Sequence, residues 1–368
     1  MVGFITLLTE VLPAGVLPVL ASDLKVSVGL AGQSVAVFAM GCIVSAIPLS
    51  RATSGWNRRT LLLTILAVSA LANLGTALAQ DLPSHLATRF VAGLVAGLVW
   101  AMLPGYTRGF AEPRQFGAML SVALTGGTLA MAVGVPVGTL LSEQIGWRAV
   151  FVGVAALTVL LAVFVWILAP RVAGTRASGA ARLRTALSSS AVLVVVAAVI
   201  LVVVGQNMAY TYLAPILIAQ GDPLPMSMVL AIFGVASMVG TLGGGRLSDR
   251  RLGPTLVTGL ILGVVGLGLF ALTSIAWLLI IAATCWGLAF GSYAALFQVA
   301  VARTGGTAAD AAQSALVTAW NISIAVGGAV GGGLLGLWGT EVLIPIAAAL
   351  TLLSIPLGLR IARNISCS

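Results

Sequence analysis

The chain has 368 residues, of which 60% are hydrophobic and only 7% charged, and its mean hydropathy is +1.14. These values lie far outside the range of soluble globular domains and exclude a soluble enzyme. The net charge of +9 does not indicate nucleic-acid binding, because the basic residues form short clusters between apolar runs and not one basic face. The composition predicts an integral membrane protein.

Apolar runs, each broken by glycine, proline or charge, recur along the whole chain. A run of about twenty residues crosses the hydrocarbon layer as a helix, so we predict twelve transmembrane helices and an all-α fold. The first is predicted to be retained, because no basic residue precedes it and Glu10 interrupts it. The spans are predicted near residues 2–22, 30–50, 60–80, 84–108, 116–141, 149–169, 191–219, 226–245, 255–274, 276–302, 312–338 and 342–360.

The arginines are distributed unevenly about these spans. Of the 18 Lys and Arg residues, fifteen lie at one side, Lys25 and Arg148 lie at the other, and Arg89 is embedded. Because positive charge collects on the cytoplasmic side of bacterial inner-membrane proteins, we expect both termini in the cytoplasm.

A basic polar segment after the sixth span divides the chain in half. We predict an N-terminal six-helix bundle at 1–169, a cytoplasmic linker at 170–190 and a C-terminal six-helix bundle at 191–368. Offsets of 193 to 197 residues align similar segments of the halves in the same order, which indicates two pseudo-symmetric bundles in parallel repeat. The aligned pairs are Gly134 with Gly327, Gly138 with Gly331, Gly93 with Gly287, Gly97 with Gly291, Pro18 with Pro215, and Glu10 with Asn207.

Glu10 and Arg89 are the ionisable residues predicted to lie deepest in the membrane. A charge near the bilayer centre costs at least about 2.5 kcal/mol and usually marks an ion or substrate pathway. We interpret the two as a proton-coupling site; the alternative is a static ion pair that fastens two helices. In the span of Glu10, Pro13 and Pro18 remove backbone donors, which predicts a kinked helix lining a cavity.

The repeat partner of this helix carries polar, uncharged side chains in place of the acid. Such a face suits a neutral or amphipathic small molecule, although interhelical hydrogen bonding would explain each residue equally well. The predicted substrate-lining residues are Gln206, Asn207, Tyr210 and Tyr212, with Trp100, Gln298, Trp320 and Asn321 as weaker candidates.

Glycines at Gly134 and Gly138, beside Pro136, and the run GGAVGGG at 327–333 predict close helix packing, which we interpret as a contact between the halves. Enzyme motifs are absent from the sequence, and no metal or other cofactor is predicted. The single histidine, His85, has no second ligand at metal spacing and is interpreted as an interfacial residue.

The segments TEVLPAGVLPVLASDL, AGQSV and RFVAGLVAGLVWAM resemble the major facilitator superfamily, in particular its twelve-span drug:proton antiporters. Within that group the resemblance is to sugar-, arabinose- and purine ribonucleoside-efflux and chloramphenicol-resistance exporters. The match of Arg89 and Gly93 to the family's fourth-span signature implies a part in proton transfer. The GVPVG segment at 134–138 resembles the fifth-span antiporter signature, with Val135 splitting the usual Gly-Pro pair, and implies efflux.

The segment GRLSDRRLGP resembles the family's loop signature, and the resemblance implies that Gly245, Asp249 and Arg250 form a cytoplasmic gate. The first-half copy has Arg51 where the aspartate would fall, so a symmetric gate is not implied.

These features together predict a monomeric transporter in a bacterial inner membrane that exports a small neutral or amphipathic compound by alternating access. Its expected partners are that small-molecule substrate, protons and the lipid bilayer, and its energy source is the proton gradient. The alternatives are a proton symporter or facilitator for uptake and, less favoured, a membrane sensor that transports nothing.

Overall fold

A computed structural model describes residues 1–45, 49, 52–53, 55–108, 125–169, 189–221, 223–272, 275–305 and 309–366; the side chains at 101–108, 249–250, 309–311 and 366 are not described. Within these ranges the chain forms fourteen α-helices and no β-strand. The first half contains α1 Val2–Gly15, α2 Leu17–Asp23, α3 Val28–Val44, α4 Arg58–Leu78, α5 Leu82–Arg108, a π-helical turn Ala130–Gly134, α6 Val135–Ile145 and α7 Trp147–Leu168. The second half contains α8 Ser190–Thr211, α9 Leu213–Ala219, α10 Met226–Leu272, α11 Ala276–Thr304, α12 Ala309–Trp338, a 3-10 turn Thr340–Val342, α13 Leu343–Leu353 and α14 Ile355–Ser366.

The helices follow the twelve predicted spans in order. Ten helical stretches of the described chain are long and apolar enough to cross a membrane, and the bent pair of α1 and α2 makes an eleventh. The second span is represented by the shorter apolar helix α3, which ends at Val44, close to the undescribed residues 46–48. The predicted all-α integral membrane fold of two pseudo-symmetric six-helix bundles is confirmed. The predicted linker lies outside the described residues, except for 189–190, and stays a prediction.

Spans 1 and 7 are both broken just before a proline. The first breaks at Val16 (φ −114°, ψ 11°) ahead of Pro18, and α1 and α2 meet at 69°. The second breaks at Tyr212 (φ −106°, ψ 18°) ahead of Pro215. Proline has no N–H and its ring clashes with the preceding turn, so a helix bends at that point. The same break in both halves confirms the aligned prolines as a repeat.

The aligned glycines of spans 4 and 10 make equivalent contacts. A Cβ at Gly93 would overlap the Phe38 carbonyl on α3, and a Cβ at Gly287 would overlap the Phe233 carbonyl on α10. Gly97 and Gly291 repeat the contact one turn further along the same helix pairs. Only glycine permits backbones to approach this closely, so these positions fix span 4 on span 2 and span 10 on span 8.

The aligned glycines of spans 5 and 11 also correspond, but they contradict part of the interpretation from sequence. Gly134 and Gly138 lie against side chains of α1, in their own half, rather than at the contact between halves. Their partners Gly327 and Gly331 likewise lie against α8. Which neighbour a glycine meets depends on the rotation of its helix about its axis, and glycine spacing alone does not determine that rotation.

The two halves meet along several pairs of spans, among them spans 2 and 11 and spans 5 and 8. Spans 2 and 11 touch where Gly29 and Gly332 are in backbone contact and where Gly328 faces Ala36. Spans 5 and 8 touch where Gly234 lies against the Met131 backbone. The first contact lies towards the end of the molecule that carries Asp23, which the arginine distribution predicts to be outside. We call it the Asp23 end.

Side chains cap the starts of α3, α4 and α5. Ser27 Oγ accepts the Leu30 N–H at 3.3 Å, and Asn57 Oδ1 accepts the Arg59 N–H at 3.0 Å. In the loop before α5, Asp81 accepts the Ser84 N–H at 2.8 Å, and this contact with Ser84 lowers the pKa of the Asp81 carboxyl. Each cap supplies an acceptor for a backbone donor that the helix itself cannot pair.

The contact at Gly93 predicts a large difference between two glycine substitutions. Gly93→Ala must push α5 away from the α3 backbone and is expected to cost about 1–3 kcal/mol, as overpacking usually does. Gly153→Ala on α7 meets open space and is expected to be neutral or to stabilise by up to about 1 kcal/mol through helix propensity. Thermal unfolding of the two purified variants in one detergent checks this, and equal melting temperatures would contradict it.

Candidate functional site

The Arg89 side chain crosses from α5 to the backbone of α1. Its Nη1 donates to the Thr9 carbonyl at 2.7 Å, and its Nη2 donates to the Glu10 carbonyl at 3.1 Å. In a regular helix the Thr9 carbonyl would accept the N–H of residue 13, but that residue is Pro13 and has no N–H to give. The arginine therefore supplies the donor that the proline removes.

The rest of the Arg89 environment is apolar. The side chain is completely buried, and its guanidinium carbon lies 4.7 Å above the centre of the Phe38 ring on α3. Its Nε has no hydrogen-bond partner among the described residues. Two carbonyls and an aromatic face offset part of the cost of burying this charge.

Glu10 lies beside Arg89, but its carboxylate is not held by it. The residue is 9% exposed on α1, and among the described side chains no hydrogen bond or ion pair of the Glu10 carboxylate is found. An ion pair of the described chain, Arg148 with Asp23, lies elsewhere. The structure thus brings Glu10 and Arg89 together, and the contact is made through the Glu10 backbone.

A small polar cluster missed in the sequence surrounds the same turn of α1. Asn73 on α4 donates through Nδ2 to the Thr9 hydroxyl at 3.2 Å and to the Ser69 carbonyl at 2.9 Å, while its Oδ1 is buried without a partner in the described chain. One turn further, the Thr76 and Thr88 hydroxyls are 3.0 Å apart. An uncharged asparagine inside an apolar span is the signal that could have identified it.

In the second half, Gln206 and Tyr210 lie against an aromatic cluster. Gln206 Oε1 accepts the indole N–H of Trp286, and both side chains are buried. The Tyr210 ring lies 5.5 Å from Phe233, and its hydroxyl points to the Met131 sulfur of the first half at 4.0 Å. The structure thus places Tyr210 at a contact between the halves.

Tyr212 is also a contact between the halves. Its hydroxyl donates to the Gly328 carbonyl on α12 at 2.7 Å and lies 3.5 Å from the Gly29 carbonyl on α3. Its ring fills the space next to Gly32 and Gly332, and the side chain is completely buried. This geometry holds spans 2, 7 and 11 together at the Asp23 end.

The remaining predicted lining residues are not gathered around these two tyrosines by any contact in the described chain. Asn207 and Asn321 are half-buried, and each donates to a carbonyl of its own helix, at 3.1 Å and 2.9 Å. Trp100 and Trp320 are half-buried, and Gln298 is exposed. A lining role for all eight residues stays a prediction.

The predicted gate segment is helical on both sides of a single kink. Inside α10 the backbone departs from helical geometry at Arg251 (φ −143°, ψ 52°), so the loop predicted between the eighth and ninth spans is shorter than expected. Gly245 is half-buried, whereas the side chains of Asp249 and Arg250 lie outside the described residues. Nearby, Arg303 Nη2 donates to the Ser248 carbonyl at 3.2 Å, a contact at the helix end that the sequence did not indicate.

At the Asp23 end, a second cluster joins three helix ends. Asp23 pairs with Arg148 and accepts the Trp147 indole N–H at 2.9 Å, and Arg148 Nη2 donates to the Ala79 carbonyl at 2.9 Å. His85 is completely buried close by, with its Nε2 2.9 Å from the Ser34 hydroxyl. The interpretation of this histidine as interfacial is therefore corrected, because Ser34 and the Trp147 edge enclose it.

Two pseudo-symmetric six-helix bundles with breaks at equivalent positions and buried polar groups near mid-span define a membrane transporter rather than an enzyme. The chain belongs to the Major Facilitator Superfamily, whose family model matches residues 1–318.

The chain is similar to proteins that are named for different functions. The chain is 28% identical over 369 residues to Transcription regulatory protein OpdE of Pseudomonas aeruginosa, covering 98% of this chain and 92% of the relative. It is 28% identical over 330 residues to Purine ribonucleoside efflux pump NepI of Salmonella enteritidis, covering 88% of this chain and 82% of the relative. It is 34% identical over 266 residues to the Chloramphenicol resistance protein of Streptomyces lividans, covering 68% of this chain and 67% of the relative.

A solved structure confirms the fold. A bacterial homolog of the human lysosomal transporter Spinster, in an inward-facing and unoccupied conformation, superimposes with a TM-score of 0.72 at 14% identity, covering 99% of this chain and 96% of that one.

Proposed function

We propose that this transporter exports a small neutral or amphipathic compound across a bacterial inner membrane in exchange for protons, by alternating access of its two bundles. The observation that carries the proposal is the position of Glu10. This carboxyl side chain is buried in the first span, next to a buried arginine that binds its backbone and leaves its carboxylate unpaired within the described chain.

The arrangement suits proton exchange. Because Arg89 is held by the Thr9 and Glu10 carbonyls, its charge stays near the acid in both protonation states. The unpaired carboxylate can then take up or release a proton without breaking an ion pair, which would be costly inside a membrane. Protonation on one side of the membrane would weaken substrate binding there and couple the two fluxes.

Support for the transported class comes from the relatives and from the second half. The names of two relatives describe a purine ribonucleoside efflux pump and a chloramphenicol resistance protein, and both nucleosides and phenicols are polar compounds with an aromatic ring. Tyr210 and Gln206 lie with Trp286 in an aromatic cluster that is buried in this conformation, and separation of the halves would expose it as a stacking surface with few hydrogen-bonding groups.

Replacing Glu10 by glutamine tests the coupling. A thermal-shift screen of purine ribonucleosides, phenicols and sugars first identifies a ligand, which is then added to everted vesicles with an acidic interior. We expect wild-type protein to make the interior more alkaline and Glu10→Gln to abolish that change while keeping ligand counterflow. The control is Glu143→Gln at the exposed end of α6, expected to behave as wild type. Full gradient-driven transport by Glu10→Gln would refute the coupling role, and acidification by the wild type would indicate proton symport for uptake instead.

The similarity over nearly the whole chain to a protein named as a transcription regulator favours a second candidate, a membrane sensor. A sensor would bind a ligand, seen as a higher melting temperature of the purified protein, but would not transport that ligand in a counterflow assay.

A further inference from the structure

The first bundle contains an internal space that the proposed exchange does not use. It lies between α1, α3, α4 and α5 and has room for about one water molecule. Along α5 its wall runs from Ala92 to Val99, a distance of about 10 Å at about 1.5 Å per residue, away from the Asp23 end. The space therefore begins near the level of Arg89 and extends towards the end that the arginine distribution predicts to be cytoplasmic.

The polar groups of this wall are unusual for their surroundings. Thr6, Thr9 and Ser69 contribute hydroxyls to an otherwise apolar lining. Hydroxyls elsewhere in the spans, such as those of Thr76 and Thr158, donate to a carbonyl one turn back in their own helix. No such bond of the Thr6 or Ser69 hydroxyl is found in the described chain, so both are available to a molecule in the space.

Two further polar atoms, on residues that bind Thr9 at the edge of the space, have no partner among the described residues. Asn73 Oδ1 is an acceptor whose own amide binds Thr9, and Arg89 Nε is a donor whose guanidinium binds the Thr9 carbonyl. A buried polar atom without a partner costs about 1–3 kcal/mol, and internal water is the usual remedy where space exists. The two free hydroxyls that line the space are the partners that a water molecule needs.

We infer that the space is a hydration site, in which one water molecule is bound by the Thr6 and Ser69 hydroxyls inside the first bundle, beside the residue Thr9 whose carbonyl binds Arg89. This goes beyond the proposed function, and depends on it in one respect. In a proton-coupled exporter, this water is one relay position for protons next to the turn of Glu10, apart from the substrate's route between the bundles.

Silver ion tests the site, because this small cation reaches a buried thiol only through water. Ser69→Cys is made in a chain whose Cys42, Cys285 and Cys367 are alanine, and the unreacted thiol is counted with a maleimide after denaturation. We expect silver ion to block most of the Ser69→Cys thiol in native membranes. The matched control, Val68→Cys, is half-buried like Ser69 and lies on the same helix but does not line the space, and it is expected to keep its thiol.

Two additional variants make the result decisive. Thr6→Cys repeats the measurement from α1, in case Ser69→Cys does not fold. Ala96→Val narrows the space and is expected to remove most of the silver reactivity of Ser69→Cys. Unreactive thiols at both positions in folded protein would overturn the hydration site, whatever Glu10→Gln does. Reactive thiols combined with normal gradient-driven efflux by Glu10→Gln would leave the water in place and refute the proposed coupling instead.

Discussion

Replacing Arg89 by methionine is expected to lower the stability of the protein, and replacing Pro13 by alanine in the same chain is expected to restore part of it. Methionine fills a similar volume but gives no donor to the Thr9 carbonyl, which Pro13 has already deprived of its helical partner. An alanine at position 13 supplies the missing N–H from within the helix.

The expected changes in the free energy of unfolding follow from the strengths of two kinds of hydrogen bond. A bond from a charged donor contributes about 1.5–3 kcal/mol, and Arg89 makes two, although removing a buried charge recovers part of that loss. The bond from the new N–H at position 13 contributes about 1 kcal/mol. Chemical or thermal unfolding of wild type, the two single variants and the double variant gives the coupling energy as a double-mutant cycle, which we expect to be about 1 kcal/mol in favour of the double variant.

Pro18→Ala is the matched control. It also adds an N–H to the broken first span, but its helical acceptor would be the Ala14 carbonyl, which Arg89 does not contact. We expect Pro18→Ala to give no recovery in the Arg89→Met chain. Equal recovery by both alanine substitutions would mean that Arg89 stabilises the protein through general helix straightening and not through the Thr9 carbonyl.

The sequence was enough to identify Glu10 and Arg89 as the deepest charges, because charges are rare in these spans and depth follows from residue count, but it left open whether the two touch. It was not enough to predict that Arg89 binds the backbone. That contact depends on the side-chain conformation, although Pro13, four residues after Thr9, already indicated a carbonyl in need of a donor. Asn73 was missed because a single amide in a span is less conspicuous than a charge.

The repeat was predictable for a different reason. Equivalent glycines and prolines keep equivalent neighbours, so Gly93 and Gly287 could be aligned before any contact was known. Their neighbours could not be assigned from spacing, because a glycine permits close approach on any side of its helix. The same limit explains why the predicted contact between halves is wrong for Gly134 and Gly138. It holds for Gly332 of the predicted run at 327–333, whereas Gly234 makes such a contact without having been predicted.

Gly332 should therefore be far more sensitive to substitution than its neighbour Gly333. A valine at Gly332 would collide with the Tyr212 hydroxyl and the Gly29 carbonyl, whereas Gly333 has no atom within contact distance of its Cβ position. We expect Gly332→Val to separate spans 2 and 11 at the Asp23 end, and Gly333→Val to behave as wild type. Overpacking of about 1–3 kcal/mol shifts a two-state equilibrium about 5- to 150-fold.

Spin labels on cysteines at Ser22 and Glu341, both exposed near the Asp23 end, measure this separation. The distance distribution should move to longer values in Gly332→Val and stay unchanged in Gly333→Val. Tyr212→Phe is the milder companion, since it keeps the ring and removes the hydroxyl bonded to Gly328. Losing one neutral hydrogen bond of about 0.5–1.5 kcal/mol should shift the same equilibrium about 2- to 12-fold.

If the two bundles alternate as proposed, the contact at Tyr212 and Gly332 has to break in every cycle. A contact this close can hold the Asp23 end closed. It must still break in each cycle, because the opposite end closes only when the Asp23 end opens. Tyr212→Phe should then raise the population open at the Asp23 end and lower substrate turnover only modestly, while Gly332→Val should stop turnover. Unchanged distances and turnover in both variants would show that this contact packs the halves together without gating them.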